Sequence, residues 1–254
     1  MKKRLKSITA AIYPVSLAAV IVILWQAVSA SGAIPRFMLP APTAVLRALI
    51  TEAPLLLSHA GTTLFEAVSG LLISVAAAFV LAVLMNRFTL LYKCVYPLAV
   101  VTQTIPTIAI APLLVLWMGY GIAPKITVVF ITCFFPLLVG LLDGLSSADG
   151  DVIGLYRSMG AGYLKTLTDV RLPYALESFF SGLKISAAYS VVGAVIAEWL
   201  GGSAGLGVYM TRVRKAYAYD KMFAVIIVIT VISLLFVYLV NTLKKASMQW
   251  KKYE

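Results

Sequence analysis

The sequence predicts an all-α membrane protein with six transmembrane helices, and three observations point to it. Of 254 residues, 61% are hydrophobic and 12% charged, against about 45–50% and about 25% in ordinary soluble domains. The mean hydropathy is +0.97. The charges are also gathered into clusters. Residues 7–35, 67–86, 94–124, 126–142 and 222–243 carry no Asp, Glu, Lys or Arg, and 178–200 carries only Lys184 and Glu198. A bilayer core takes about 20 apolar residues per helix, so six spans use about half of the chain. The remainder is too short for a separate soluble catalytic domain. One transmembrane domain over 1–254 is expected, and a soluble globule, a disordered tail and a disulfide scaffold are excluded.

In chain order, the first span is 11–31, behind Lys2, Lys3, Arg4 and Lys6. A basic start and an apolar run ending at Val28-Ser29-Ala30 also resemble a signal peptide. The run exceeds the usual h-region of about 7–15 residues, which favours a membrane helix. Pro35, Pro40 and Pro42 then break the chain, and an amphipathic helix over 42–57 can follow. The other spans fall at 61–85, 95–118, 124–144, 177–200 and 222–243. Pro97, Pro106 and Pro112 lie in or beside the third, where each removes a backbone donor. Such a break survives where neighbouring groups or a polar cavity satisfy the freed carbonyls. Thr102, Gln103 and Thr104 are at hand to do so, either in a kinked packing helix or in a helix bordering a solute route.

Six spans place both termini on one side. With the N-terminus inside, thirteen Lys and Arg lie on inner segments and seven on outer ones, with Lys184 inside a span. The positive-inside rule therefore puts both termini in the cytoplasm, although the basic cluster Arg212, Arg214, Lys215 and Lys221 counts the other way. The formal net charge of +11 reads as this topology signal rather than as a nucleic-acid footprint. Arg212 to Lys221 form either solvated loop charges or a patch for an acidic docking protein.

Chemistry-bearing motifs are scarce. The two cysteines, Cys94 and Cys133, and the single histidine, His59, have no metal-ligand spacing, so neither a metal site nor a His-based catalytic site is expected. There is no G-x-x-x-x-G-K-[ST] loop, G-x-S-x-G, H-E-x-x-H or paired carboxylate set. The glycine cluster 201–207 reads as a flexible turn or gate. Any work must draw on an ion gradient or on a partner. Span five carries Gly182, Ser186, Ala187, Ser190, Gly193, Ala194 and Ala197, a small-residue face suited to packing within one subunit, to a dimer seam or to a pore border. Gly140 and Gly144 offer a small pair on span four. Glu66, Lys184 and Glu198 should face protein, water or one another rather than lipid. Glu66 and Lys184 fall near opposite ends of their spans and are not paired. Glu198 falls near the outer end, as a gate or docking residue or as an interfacial glutamate capping a neighbouring backbone.

The long loop 145–176 is the most informative segment. Two short helical pieces flank Gly160-Ala161-Gly162, and Leu155, Met159, Tyr163, Leu164 and Leu167 share a helical spacing that could press one face into a partner's groove. Gly160 would allow close backbone approach where the pieces meet. The spacing Gly160, nine residues, Val170-x-Leu172-Pro173 resembles the cytoplasmic EAA loop of binding-protein-dependent ABC importer permeases. The Glu-Ala-Ala positions depart from that pattern and hold Gly154, Leu155 and Tyr156. Gln103-Thr104-Ile105-Pro106 through Ala111-Pro112-Leu113, then Trp117-Met118-Gly119-Tyr120-Gly121, resembles the third span of the sulfonate, nitrate, taurine and pyrimidine-precursor branch. Ala197-Glu198-Trp199-Leu200-Gly201 through Gly205-Leu206-Gly207 is similar to the end of that branch's fifth span.

This resemblance implies a type I importer half in the cytoplasmic (inner) membrane. Two copies would form the pore, as a homodimer, with an ABC ATPase dimer below and an extracytoplasmic solute-binding protein above. The chain itself would bind no cofactor, ATP and Mg being used by the partner ATPase. Leu155, Tyr156, Arg157, Ser158, Met159, Gly160, Ala161, Gly162, Tyr163 and Leu164 would form the coupling helix. Gln103, Thr104, Ser186, Tyr189, Ser190 and Glu198 are the pathway or gate candidates. With one cation inside a span, Tyr96, Trp117, Tyr189, Gln103 and Ser190 suit a small flat polar heterocycle, such as a pyrimidine-type thiamine precursor. Sulfonate, taurine or nitrate is the alternative. A gradient-driven carrier would more often show inverted repeats and midplane carboxylates, and a membrane enzyme would need a catalytic constellation that the sequence lacks.

Overall fold

The computed structural model describes residues 2–32, 34, 35 and 37–248, with side chains described from Tyr13 on, Pro14 excepted. The orientation charges Lys2, Lys3, Arg4, Lys6, Arg36, Lys251 and Lys252 lie outside the described residues or side chains. Every regular element among the described residues is helical: α1 (Lys2–Ala30), α2 (Pro42–Thr51), α3 (Ala53–Arg87), α4 (Thr89–Thr104), α5 (Thr107–Met118), α6 (Ile122–Ser146), α7 (Gly150–Ser158), α8 (Tyr163–Thr166), a π-helical turn Leu167–Arg171, α9 (Leu172–Trp199), α10 (Leu206–Lys215) and α11 (Tyr219–Ser247). Among the described residues, four stretches are long and apolar enough to cross a membrane: Ala53–Arg87, Ile122–Ser146, Tyr163–Trp199 and Tyr219–Ser247. The pair α4 and α5 makes a fifth if counted as one span. A sixth requires α1, whose described apolar part is Val15–Ala30.

The expected third span, 95–118, is not one straight helix. α4 and α5 meet at 102°. Pro106 cannot donate a hydrogen bond and holds Ile105 in an extended conformation, φ −87 and ψ 121, as the residue before a proline prefers. Thr102 Oγ1 donates to the Ala99 carbonyl (2.6 Å) and Thr104 Oγ1 to that of Val101 (2.8 Å), so hydroxyls satisfy part of the broken turn.

The chain divides into two compact units, Met1–Ser58 with Tyr209–Val228, and His59–Val208 with Ile229–Glu254. In the first unit, Trp25 Nε1 donates to Pro40 O (3.0 Å) and Ser29 Oγ to Leu39 O (2.9 Å), which pins the proline-rich turn to the end of α1. Lys221 pairs with Glu52, and Tyr209 Oη donates to the other Glu52 oxygen at 3.2 Å. The Lys221 hydrogen bond draws the Glu52 carboxyl below its ordinary value. Burial, reinforced by Glu52, pushes the Tyr209 phenol up to about 12.

In the second unit, α6 and α9 pack along most of their lengths, and glycines make this possible. A Cβ on Gly182 would lie 2.4 Å from Pro136 O, on Gly140 2.7 Å from Ser178 O, and on Gly144 2.6 Å from Ala175 Cα. Small residues let membrane helices approach this closely. Ser186 Oγ donates to Cys133 O (2.8 Å) and Cys133 Sγ to Ser186 O (3.2 Å), a reciprocal stitch across the seam. The small face of span five is therefore used within one subunit.

Candidate functional site

Three features of the second unit bear on function. The first is the turn between α7 and α8. Asp149 caps α7 by accepting from Asp151 N at 2.8 Å. At the other end Ala161 N donates to Tyr156 O and Gly160 N to Arg157 O, both 2.9 Å, the paired bonds of a Schellman cap. Gly160 has φ +80 and no atom within 4 Å of a hypothetical Cβ. The glycine is thus required for its left-handed backbone, not for the close approach expected of it. Leu155, Met159 and Leu164 project outward at 59%, 77% and 72% exposure. Tyr163 and Leu167 depart from the expected outward face: Leu167 is buried, and Tyr163 Oη donates to Val83 O at 3.2 Å. Helical spacing missed this because α7 ends at Ser158 and α8 starts at Tyr163, so one helical period does not run through the turn between them. Arg157, Ser158 and Gly162 are exposed, and Tyr156 and Ala161 half-buried.

The second feature is a cavity of about 210 Å3 at the α4–α5 bend, bordered by Thr102, Gln103, Thr107, Thr132, Tyr189 and apolar side chains, with no charged residue in its lining. Gln103 and Tyr189 thus come together. Thr104 and Trp117 are exposed and Tyr96 is half-buried, and all three lie outside the lining. Ser186 and Ser190 are fully buried, Ser190 Oγ donating to Ala187 O at 2.9 Å.

The third feature is a buried polar cluster. Lys125 Nζ contacts Glu66 Oε1 at 2.7 Å, with side-chain exposures of 8% and 2%. Thr63 Oγ1 donates to Glu198 Oε1 (2.7 Å) and accepts from Leu206 N (2.9 Å). Gly207 N donates to Glu198 Oε2 (2.5 Å), and Gly205 N to His59 Nδ1 (3.0 Å). Glu66 and Glu198 influence one another electrostatically, and Glu66 Oε2 is buried without a hydrogen-bond partner among the described residues. Three helices and the glycine-rich loop therefore close around two carboxylates and one ammonium, where burial of a charge demands a partner. Two expectations change here. Lys125, counted among the outer loop charges, lies inside α6, and a carboxylate pair does exist. Glu66 and Glu198 stand on different spans, so no local spacing announces them. A Cβ on Gly205 would sit 2.2 Å from Glu198 Cδ, so the loop seals the cluster only with glycine there. Lys184 stands exposed on α9. Among the described residues, no group of three or more His, Cys, Asp or Glu could hold a metal ion.

Comparison with known proteins decides the family. Residues 70–250 match the model of the binding-protein-dependent transport system inner membrane component. The chain belongs to that family. This permease is 37% identical over 221 residues, covering 87% of it and 90% of the relative, to a probable ABC transporter permease protein of Haemophilus influenzae. It is 32% identical over 243 residues, covering 95% and 97%, to the formylaminopyrimidine transport permease protein ThiX of Halalkalibacterium halodurans. A solved amino acid ABC transporter shares the fold, with a TM-score of 0.65 at 15% identity, over 78% of this chain and 96% of that one. The permease is thus a multi-pass membrane subunit of an ABC importer, a class that works with an ATPase and a binding protein.

Proposed function

We propose that this permease imports a pyrimidine-type thiamine precursor delivered by an extracytoplasmic binding protein, using ATP and Mg bound by a separate ATPase dimer. Two copies of the chain form the pore, both termini face the cytoplasm, and the turn 155–164 is the coupling helix. The coupling assignment rests on Leu155, Met159 and Leu164, three large apolar side chains held outward on a capped turn in a form that fits an apolar groove on a partner. The solute assignment rests on the cavity at the α4–α5 bend. Its lining is uncharged, with hydroxyls, the Gln103 amide and the Tyr189 ring, which suits a neutral ring with hydrogen-bonding edges better than an anion. The 32% identical relative named for formylaminopyrimidine transport supports the same choice. Gln103 and Tyr189 are the solute contacts, and Glu198 holds the gate loop.

The test is uptake into proteoliposomes holding the permease, its ATPase and its binding protein. ATP-dependent accumulation of formylaminopyrimidine, absent for taurine and reduced in Gln103→Ala and Tyr189→Ala, is the expected result. Uptake of taurine in its place would overturn the solute assignment.

A further inference from the structure

Residues 59–87 of α3 are gripped at both ends by the two segments that flank α9. At one end, Tyr163 Oη donates to Val83 O (3.2 Å) and lies 3.4 Å from Asn86 Oδ1. Arg171 Nη1 donates to that same Asn86 oxygen, and the Arg87 guanidinium stands 4.8 Å over the Tyr163 ring. At the other end, His59 accepts from Gly205 N, and Thr63 binds both Glu198 and Leu206 N. From His59 to Asn86 the helix rises about 40 Å at 1.5 Å per residue, so one element touches both the coupling turn and the glycine-rich gate loop.

Two routes lead away from the coupling turn, and they differ in stiffness. The covalent route into α9 passes through the π-helical turn Leu167–Arg171, where the regular α-helical hydrogen bonding is interrupted. α9 is moreover locked to α6 by the glycine seam. The non-covalent route enters the last turn of α3, whose backbone is helical without interruption from Ala53 to Arg87. α3 rides on α6 through Gly70 against Val129 and through a Ser74 bond to Phe130 O at 3.2 Å.

Resting on the coupling-helix reading, we propose that α3, rather than α9, carries the movement of the coupling turn to the 198–207 gate loop, with Asn86 as the positioning residue that transmits it. Helix shifts of about 1–2 Å are typical of such transitions. A shift of that size along α3 stretches the 2.7–3.0 Å bonds of His59 and Thr63 beyond hydrogen-bonding range and frees the loop. Arg171 Nε is buried without a partner among the described residues, a donor left open in this conformation.

The experiment uses the full complex with its ATPase, with spin labels at positions 61 and 203. Gly61 has open space for a label, and Ser203 is exposed. ATP with vanadate traps the closed ATPase. In the parent complex the 61–203 distance changes on trapping. In Asn86→Ala the ATPase stays bound and hydrolyses ATP, the distance stays fixed, and ATP used per formylaminopyrimidine imported rises about tenfold. Asn86→Asp, which keeps an acceptor for Arg171, restores the coupled ratio. Tyr163→Phe removes one hydroxyl and gives an intermediate ratio, a second variant should Asn86→Ala fold poorly. Normal coupling in Asn86→Ala, or loss of the bound ATPase from it, overturns the proposal. Failure of the parent chain to hold an ATPase would instead overturn the coupling-helix reading.

Discussion

The polar cluster and the coupling turn invert the ordinary rule of burial in opposite directions. At the cluster, Glu66, Lys125 and Glu198 are sealed at 1%, 6% and 1% exposure. At the turn, Leu155, Met159 and Leu164 stand in the open. Charges are hidden where three helices meet and apolar groups are displayed where the chain turns. The difference separates groups that complete this chain from groups that await another. The buried Lys125–Glu66 pair is made within this chain, with Glu66 Oε2 left without a partner among the described residues, and breaking the pair harms the fold itself. An exposed apolar triad costs the fold little and, on the proposed reading, serves a partner.

The largest effect should come from breaking the sealed region. Lys125→Met leaves Glu66 buried without its cation and is expected to cost about 3–5 kcal/mol, read as lost thermal stability in detergent. The double variant Lys125→Met with Glu66→Gln should recover most of it. Next, replacing Leu155, Met159 and Leu164 together by Ser should leave the unfolding temperature unchanged but abolish ATPase co-purification, each anchor contributing about 2 kcal/mol to binding. An unfolding temperature that falls while the ATPase stays bound would collapse the distinction between the two regions.

A smaller effect sharpens the account of the turn. The Schellman bonds at Gly160 recur after α10, where Tyr217 N donates to Arg214 O (3.1 Å) and Ala218 N to Val213 O (3.0 Å). There a tyrosine occupies the left-handed position, at φ 57. Tyr217→Gly should stabilise the protein by up to about 1 kcal/mol, and Gly160→Val should distort the coupling turn by the converse strain. The smallest effect concerns the half-open pair Glu52–Lys221. Because the Glu52 carboxyl is drawn below its ordinary value, its contribution is present above that value and fades as pH falls through the lowered one. Glu52→Gln should therefore lower stability slightly at neutral pH, leave it unchanged once pH is below the lowered value, and so flatten the profile below about pH 4.

The apolar spans, the proline break and the Gly160 turn were legible in the sequence because each is a local signal of composition or spacing. Pro106 announces a disrupted helix, though not the 102° bend that results. Gly160 announces a turn, though its need is a backbone angle rather than room. The cluster was illegible. Thr63 and Glu198 are 135 positions apart and Glu66 and Lys125 59 apart, so only the packing of helices brings them together. Lys125 misled most: it lies at the start of the expected span 124–144 and counts as an outer charge by position, yet it is buried on α6, which starts at Ile122. Tyr163 and Leu167 were assigned outward because a regular helical period was carried through a turn that does not keep it.

The open triad at 155–164 also bears on supply. If the turn docks the ATPase on the cytoplasmic side as proposed, a copy made without that partner shows three large apolar side chains to solvent, the kind of surface that chaperones hold and proteases clear. Subunit numbers would then balance themselves by disposal of orphans, with no separate regulator counting them.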